Sequence, residues 1–231
     1  YKRQERERPA GRLITVTRAT IKKFTPTGLD PMNRTNVENI KAVYQLATLT
    51  EQQDGVSWYP AAQAIAVKLA KRYSIPTTQA VGVLAALSPR NRWERNVRDA
   101  DALISAYTAG GADQAMATKV CTFTSNKAKA VKILESDTQT LTDILKILSG
   151  PKLKEFAGCI AGLPDICIDG HAYCIWAANR TGLKDVPAIG VKLRRQIKAD
   201  YRIAADELGY TPAALQAITW CAWRRIHGVT K

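Results

Sequence analysis

Apolar residues recur three and four apart along most of the chain, the signature of amphipathic helices. Ile40, Val43, Tyr44 and Ala47 form one such stripe, with Asn36 placed to cap the helix that carries it. Trp58 to Tyr73 repeats the pattern through Ala62, Ile65, Ala66 and Leu69, and Ile75-Pro76-Thr77 stops it. Gln79 to Leu87 is apolar almost all round, which predicts a helix buried at the centre of a domain. A helix from Glu94 to about Tyr107 follows, and Gly110-Gly111 is a clear break. Asn126 to Leu134 and Leu141 to Leu148 are two short amphipathic stretches. After the turn Ser149-Gly150-Pro151-Lys152, a helix runs from Leu153 to about Ala161 and ends at Gly162-Leu163-Pro164. Asp169 opens the next, to about Thr181, and Lys192–Leu208 and Pro212–Ile226 complete the chain. No segment shows convincing period-two alternation, so the expected fold class is all-α, without internal repeats.

Composition narrows the class. With 231 residues and 46% hydrophobic content, the chain is long and apolar enough for one sizeable domain or two small lobes sharing a core. No apolar run approaches the roughly 18 residues of a membrane span. Tyr1 to Arg12 is charged with no apolar stretch behind it, so no signal peptide is expected. The expected setting is the cytoplasm of a prokaryotic or virus-infected cell. The five cysteines form no CxxC pair, so neither a zinc site nor any other metal or cofactor is expected.

Charge changes the picture more. Thirty-four basic against 20 acidic residues give +14, which favours a polyanionic partner, DNA or RNA. Residues 1–30 read as a basic arm: up to Thr25 there are eight Lys or Arg and two Glu.

The candidate chemistry lies between Leu148 and Gly182. A tight turn between two helices exposes backbone N–H groups at the start of the second, where the helix dipole also favours a phosphate. Gly150 would allow close backbone approach. Asp169, 17 residues after Lys152, stands between two apolar runs at a helix start. There it serves either as an ordinary N-cap or, in a cleft, as a carboxylate stabilising an oxocarbenium-like sugar cation.

Taken together, Leu148-Ser149-Gly150-Pro151-Lys152 followed by Ile168-Asp169-Gly170-His171 resembles the helix-hairpin-helix DNA glycosylase superfamily, in its endonuclease III-like branch. That family's hairpin, L-P-G-x-G-x-K, is followed at a similar distance by V-D-x-H at the head of a helix. Upstream, Val81 to Asn96 resembles the family helix ending in L-L-S-A-Q, and Thr124 to Leu134 its Y-N-S-K-A-x-x-I segment. The matches keep their order from Gln79 to Gly182. The chain departs from the family in three places. The hairpin keeps one of two glycines, Arg90 replaces the glutamine after the S-A pair, and the four-cysteine iron–sulfur motif is absent.

The resemblance implies a two-lobed helical fold with duplex DNA in the cleft between lobes. One lobe would span about 79–164; the other would combine about 31–78 with 165–231, all within a domain over 31–231. It implies a monomer that flips a damaged or modified base out of the duplex and cuts its glycosidic bond. Asp169 would be the catalytic carboxylate. Lys152 falls at the lysine that in bifunctional members attacks C1′ and gives AP-lyase activity, and Lys154 is its fallback. Gly150, Lys154, His171, Asn126, Lys127, Arg90, Asn91, Arg92 and Trp93 would contact DNA, Trp93 by stacking on a base. Two other readings stay open on the same residues: a transferase of the viral thymine-hypermodification type on the same fold, and a non-catalytic DNA-binding module.

Overall fold

The computed structural model describes residues 35–137, 140–182 and 184–229, and the basic arm expected over 1–30 lies outside them. Among the described residues all regular structure is helical, in ten α-helices: α1 (Asn36–Gln45), α2 (Leu49–Tyr73), α3 (Thr77–Leu87), α4 (Trp93–Ala117), α5 (Thr124–Glu135), α6 (Leu141–Ile147), α7 (Pro151–Ile160), α8 (Gly170–Trp176), α9 (Val191–Leu208) and α10 (Pro212–Ile226). The all-α class follows directly.

Local chemistry sets the ends. Thr35, not Asn36, caps α1: its hydroxyl accepts the Glu38 N–H, and the Glu38 carboxylate accepts the Thr35 N–H. Asn36 instead lies inside the first turn, and its side chain, like that of Asn39, donates to Trp176 O at 3.0 Å. That pair ties α1 to the end of α8. The same reciprocal cap at Thr48 and Glu51 starts α2 nine residues before the apolar pattern at Trp58 becomes visible. Gly110 and Gly111 leave helical geometry, so α4 is two helical segments abutting at the expected break. Helix α8 ends earlier than its apolar pattern suggests. Ala178 turns left-handed (φ 49°), and the N–H groups of Ala178 and Asn179 close back on Ile175 O and Cys174 O. This is a Schellman closure made without glycine.

Helix α3 is the axis of one group: every residue from Gln79 to Leu87 is buried, and α2, α4, α5, α6 and α7 pack around it. Helices α1, α8, α9 and α10 pack on one another, and α2 lies against both α3 and α10. The α2–α10 contact is close because Gly55 has no side chain. A Cβ there would sit 2.5 Å from Ile218 N, so any larger residue would push the two backbones apart. No described helix is long and apolar enough to cross a membrane.

Candidate functional site

The α6–α7 connection is three residues, Leu148, Ser149 and Gly150. Leu148 is buried and anchors it, while Ser149 and Gly150 are exposed. Gly150 holds φ 79° and ψ 147°, a conformation that side-chain-bearing residues avoid, and no side chain caps the helix it begins. Pro151 at the first position has the fixed φ the helix needs and lacks an N–H. Lys152 and Lys154 are exposed on the first turn of α7. The next turn contributes Leu153, Glu155 and Ala157 to the interior.

Asp169 follows the buried extended segment Ile166-Cys167-Ile168. Its Oδ1 accepts the Ala172 N–H at 2.9 Å, so Asp169 is the N-cap of α8. The residue before it is clamped by charge. Glu155 on α7 accepts the Ile168 N–H through Oε2 at 3.0 Å, and Arg194 on α9 donates to Ile168 O at 2.9 Å. Glu155 and Arg194 are themselves paired at 2.5 Å, and Lys198 bridges Glu155 Oε1 (2.8 Å) and Asp165. Glu155 is only 5% exposed. Two cations and a backbone N–H meet this carboxylate, which supplies the partners a buried charge needs. The network locks the hairpin helix, the segment leading to Asp169 and α9 into one arrangement.

Charge also gathers around His171. Burial lowers its pKa; Asp169 opposes that, while Arg224 and Lys152 add to it. Cys167 lies 3.8 Å from Lys152 O through its Sγ. Burial drives the Cys167 thiol well above its ordinary value and that of Cys159 up to about 12. Both thiols are protonated and poor nucleophiles. Arg224, whose guanidinium lies 4.3 Å over the Trp220 ring, is a member of this group that the sequence pattern did not single out. A basic residue at the end of an amphipathic helix reads as solvated until the fold turns it inward.

An aromatic cluster connects this region with the α3–α4 loop. Tyr59, whose pKa is raised chiefly by burial and also by Asp169, donates to Gln216 Oε1 at 3.1 Å. Its ring lies 4.8 Å from Trp58, which in turn stands 5.0 Å from Trp93 and 5.7 Å from Phe156 of α7. Trp93 thus packs against the core as the first residue of α4. Part of the ring is taken up by this packing, and the rest is exposed.

The other expected contacts divide. Arg90 and Arg92 are exposed. The Asn91 amide donates to Asp99 Oδ2 at 2.8 Å and holds the loop. Asn126 is buried, with its amide directed at Thr122, and the Lys127 ammonium donates to Met116 O and Thr118 O at the end of α4. These three side chains serve the fold. Among the described residues no group of three or more His, Cys, Asp or Glu gathers that could hold a metal, and all five cysteines are free thiols.

The profile of a family of unknown function (DUF7178) matches residues 25–227, and the chain belongs to that family. Nothing among curated proteins or solved structures matches it.

Proposed function

We propose that this chain is a DNA N-glycosylase with a two-lobed helix-hairpin-helix architecture, acting on duplex DNA that carries a damaged or modified base. The observation that carries the reading is the packing of the segment before Asp169 on the hairpin helix: Cys167 Sγ lies 3.8 Å from Lys152 O, and the Ile168 N–H donates to Glu155 Oε2 at 3.0 Å. The hairpin and the aspartate, recognised as separate motifs in the sequence, are neighbours in space. The two packing groups also support it. Helices α4–α7 lie in the stretch expected for one lobe and α1 and α8–α10 in that expected for the other, while α2 shares the core of α3 and also packs on α10.

In this mechanism the target nucleotide leaves the stack and its C1′ faces Asp169. As the glycosidic bond breaks, the base departs with the bonding pair, positive charge develops on the sugar, and the carboxylate stabilises it until water or the Lys152 amine adds to C1′. Oδ1 is taken up by the Ala172 N–H, so Oδ2 is the atom that faces the cation. The exposed first turn of α7 holds a phosphate next to the flipped nucleotide. Lys152 stands where it either attacks C1′ or contacts that phosphate. Asn126 and Lys127 are left out of the interface because their side chains are bonded within the fold.

One observation favours a competing reading, a DNA-binding module without catalysis: Asp169 already has a structural task as a cap. Incubation with a panel of modified duplexes, followed by mass spectrometry of released bases and assay of abasic sites, decides between them. Base release that is lost in Asp169→Asn supports the glycosylase. A base of changed mass without abasic sites marks a transferase, and binding without either product marks the module.

A further inference from the structure

Arg90, Arg92, Arg95 and Arg98 line one surface depression of about 480 Å³, with Glu94 as the carboxylate among them. None of the four guanidiniums is ion-paired to a carboxylate among the described residues. Asp99, the next acid along α4, forms no ion pair with them. Its Oδ2 accepts from the Asn91 amide and from Cys121 N, both at 2.8 Å. A second cationic depression, of about 410 Å³ beside Pro151 and α9, differs in this respect. Its Arg194 and Lys198 are already paired with Glu155 and Asp165, which leaves two unpaired arginines there, Arg195 and Arg202, against four here.

The arginine loop is also built. Arg90 holds a left-handed backbone (φ 59°), which a residue with a side chain adopts under constraint. The constraint comes from the segment after α4. Cys121 Sγ lies 4.0 Å from Arg90 O, Thr122 donates to Pro89 O at 3.4 Å, and the Arg90 guanidinium stacks 4.9 Å over the Phe123 ring. Arg95 and Arg98, three residues apart in the first turns of α4, share a helix face. The positive end of the helix dipole adds to their field.

We infer that this depression is a phosphodiester site that grips successive backbone phosphates of duplex DNA. It deepens the reading above and rests on its DNA partner, not on base cleavage. A planar guanidinium presents paired donors that match two phosphate oxygens. Four such forks without carboxylate partners, lining an open groove, suit a row of phosphates better than one free anion. The loop in which Arg90 stands for the glycosylase family's glutamine therefore holds the backbone, in keeping with Trp93 being partly buried against the core.

The test is binding of a short fluorescein-labelled DNA duplex to the full chain across a salt series. Arg95→Ala/Arg98→Ala should weaken low-salt binding at least ten-fold. It should make the slope of log affinity against log salt shallower by about 1.8, the value for two lost phosphate contacts. Lys68→Ala/Lys71→Ala, exposed on α2 and lining neither depression, removes the same charge and should leave the slope nearly unchanged. Equal losses in both double variants, or none in the first, overturn the site. So does displacement of the duplex by inorganic phosphate at an ionic strength where chloride has no effect, which marks a single-anion pocket. Tighter binding of a matched RNA duplex overturns the assignment to DNA. A wild-type chain that binds no duplex refutes both this site and the proposed function. A wild-type chain that binds and releases base, with an unaffected arginine variant, refutes the site alone.

Discussion

Glu155 and Ile168, thirteen residues apart, are joined by a hydrogen bond from the Ile168 N–H to Glu155 Oε2 at 3.0 Å. Arg194 completes the hold by donating to Ile168 O and to the same carboxylate oxygen. The backbone that delivers Asp169 is thus fixed by a buried ion network. Glu155→Ala would leave Arg194 and Lys198 facing each other in the interior without their shared carboxylate. Removing one partner of a buried pair costs about 3–5 kcal/mol. Urea unfolding should show a large fall in midpoint for Glu155→Ala. Glu155→Gln keeps an acceptor for Ile168 but not the charge, and it should fall part of the way. Wild-type midpoints for both variants would mean the network contributes nothing to stability.

Gly150 makes a separate prediction. A Cβ added there meets no atom within 4 Å, so steric crowding is not the issue. The obstacle is the backbone, at φ 79° and ψ 147°. Gly150→Ala should destabilise the protein by about 1–3 kcal/mol, the usual cost of a side chain held in a glycine conformation. Thermal unfolding reads the effect directly. An unchanged midpoint would show that the α6–α7 connection relaxes into another turn.

Much of this was legible in the sequence because it depends on local pattern. The buried helix Thr77–Leu87, the break at Gly110-Gly111 and the bounds of α10 follow from apolar spacing and turn residues. The start of α2 was not, since Leu49 to Ser57 is mostly polar and only the cap at Thr48 and Glu51 marks it. Within the site, Asp169 and Lys152 were recognisable as motif residues. Glu155, Arg194 and Arg224 were not, because their roles come from contacts across 39 residues or from burial that only the fold creates. For the same reason Lys127 read as a surface cation, although it closes the end of α4.

The two histidines predict how stability responds to acid. Burial is the main cause that lowers the pKa of both His171 and His227 below the ordinary 6.5. The unfolded chain then takes up these protons at a higher pH than the folded chain does. Stability from the neutral imidazoles is complete above about 6.5 and is lost as pH falls from there through the lowered folded values. Glu51 acts in a lower window. Its carboxyl is pulled below 4.5 by Arg225 and the Thr48 cap against the opposing effect of burial, so its contribution is lost only as pH falls below 4.5. Melting temperature should therefore drop between pH 7.5 and pH 5, and His171→Gln should shrink that drop. A flat profile over this range would contradict the buried neutral state of both imidazoles.

The last prediction separates the roles of Asp169 and Lys152. Asp169→Asn keeps an oxygen that can accept the Ala172 N–H, so the cap and the fold should survive. Base release should nevertheless fall about a hundred-fold or more, the scale of losing a charged group that stabilises the transition state. Near-normal release would return Asp169 to the role of a cap alone. For Lys152 the two chemistries leave different traces. A lysine that attacks C1′ forms an imine, which borohydride reduces to a covalent protein–DNA adduct, and Lys152→Ala would abolish it. A lysine that only holds a phosphate forms no adduct, and its loss costs affinity, about 1 kcal/mol for a charge-assisted bond. Pro151 begins α7 and leaves Lys152 exposed on its first turn, with its carbonyl 3.8 Å from the Sγ of Cys167, two residues before Asp169. That placement favours the nucleophile, so trapping should succeed on substrate DNA. Abundant base release with no adduct would make the enzyme monofunctional and leave Lys152 as a backbone contact.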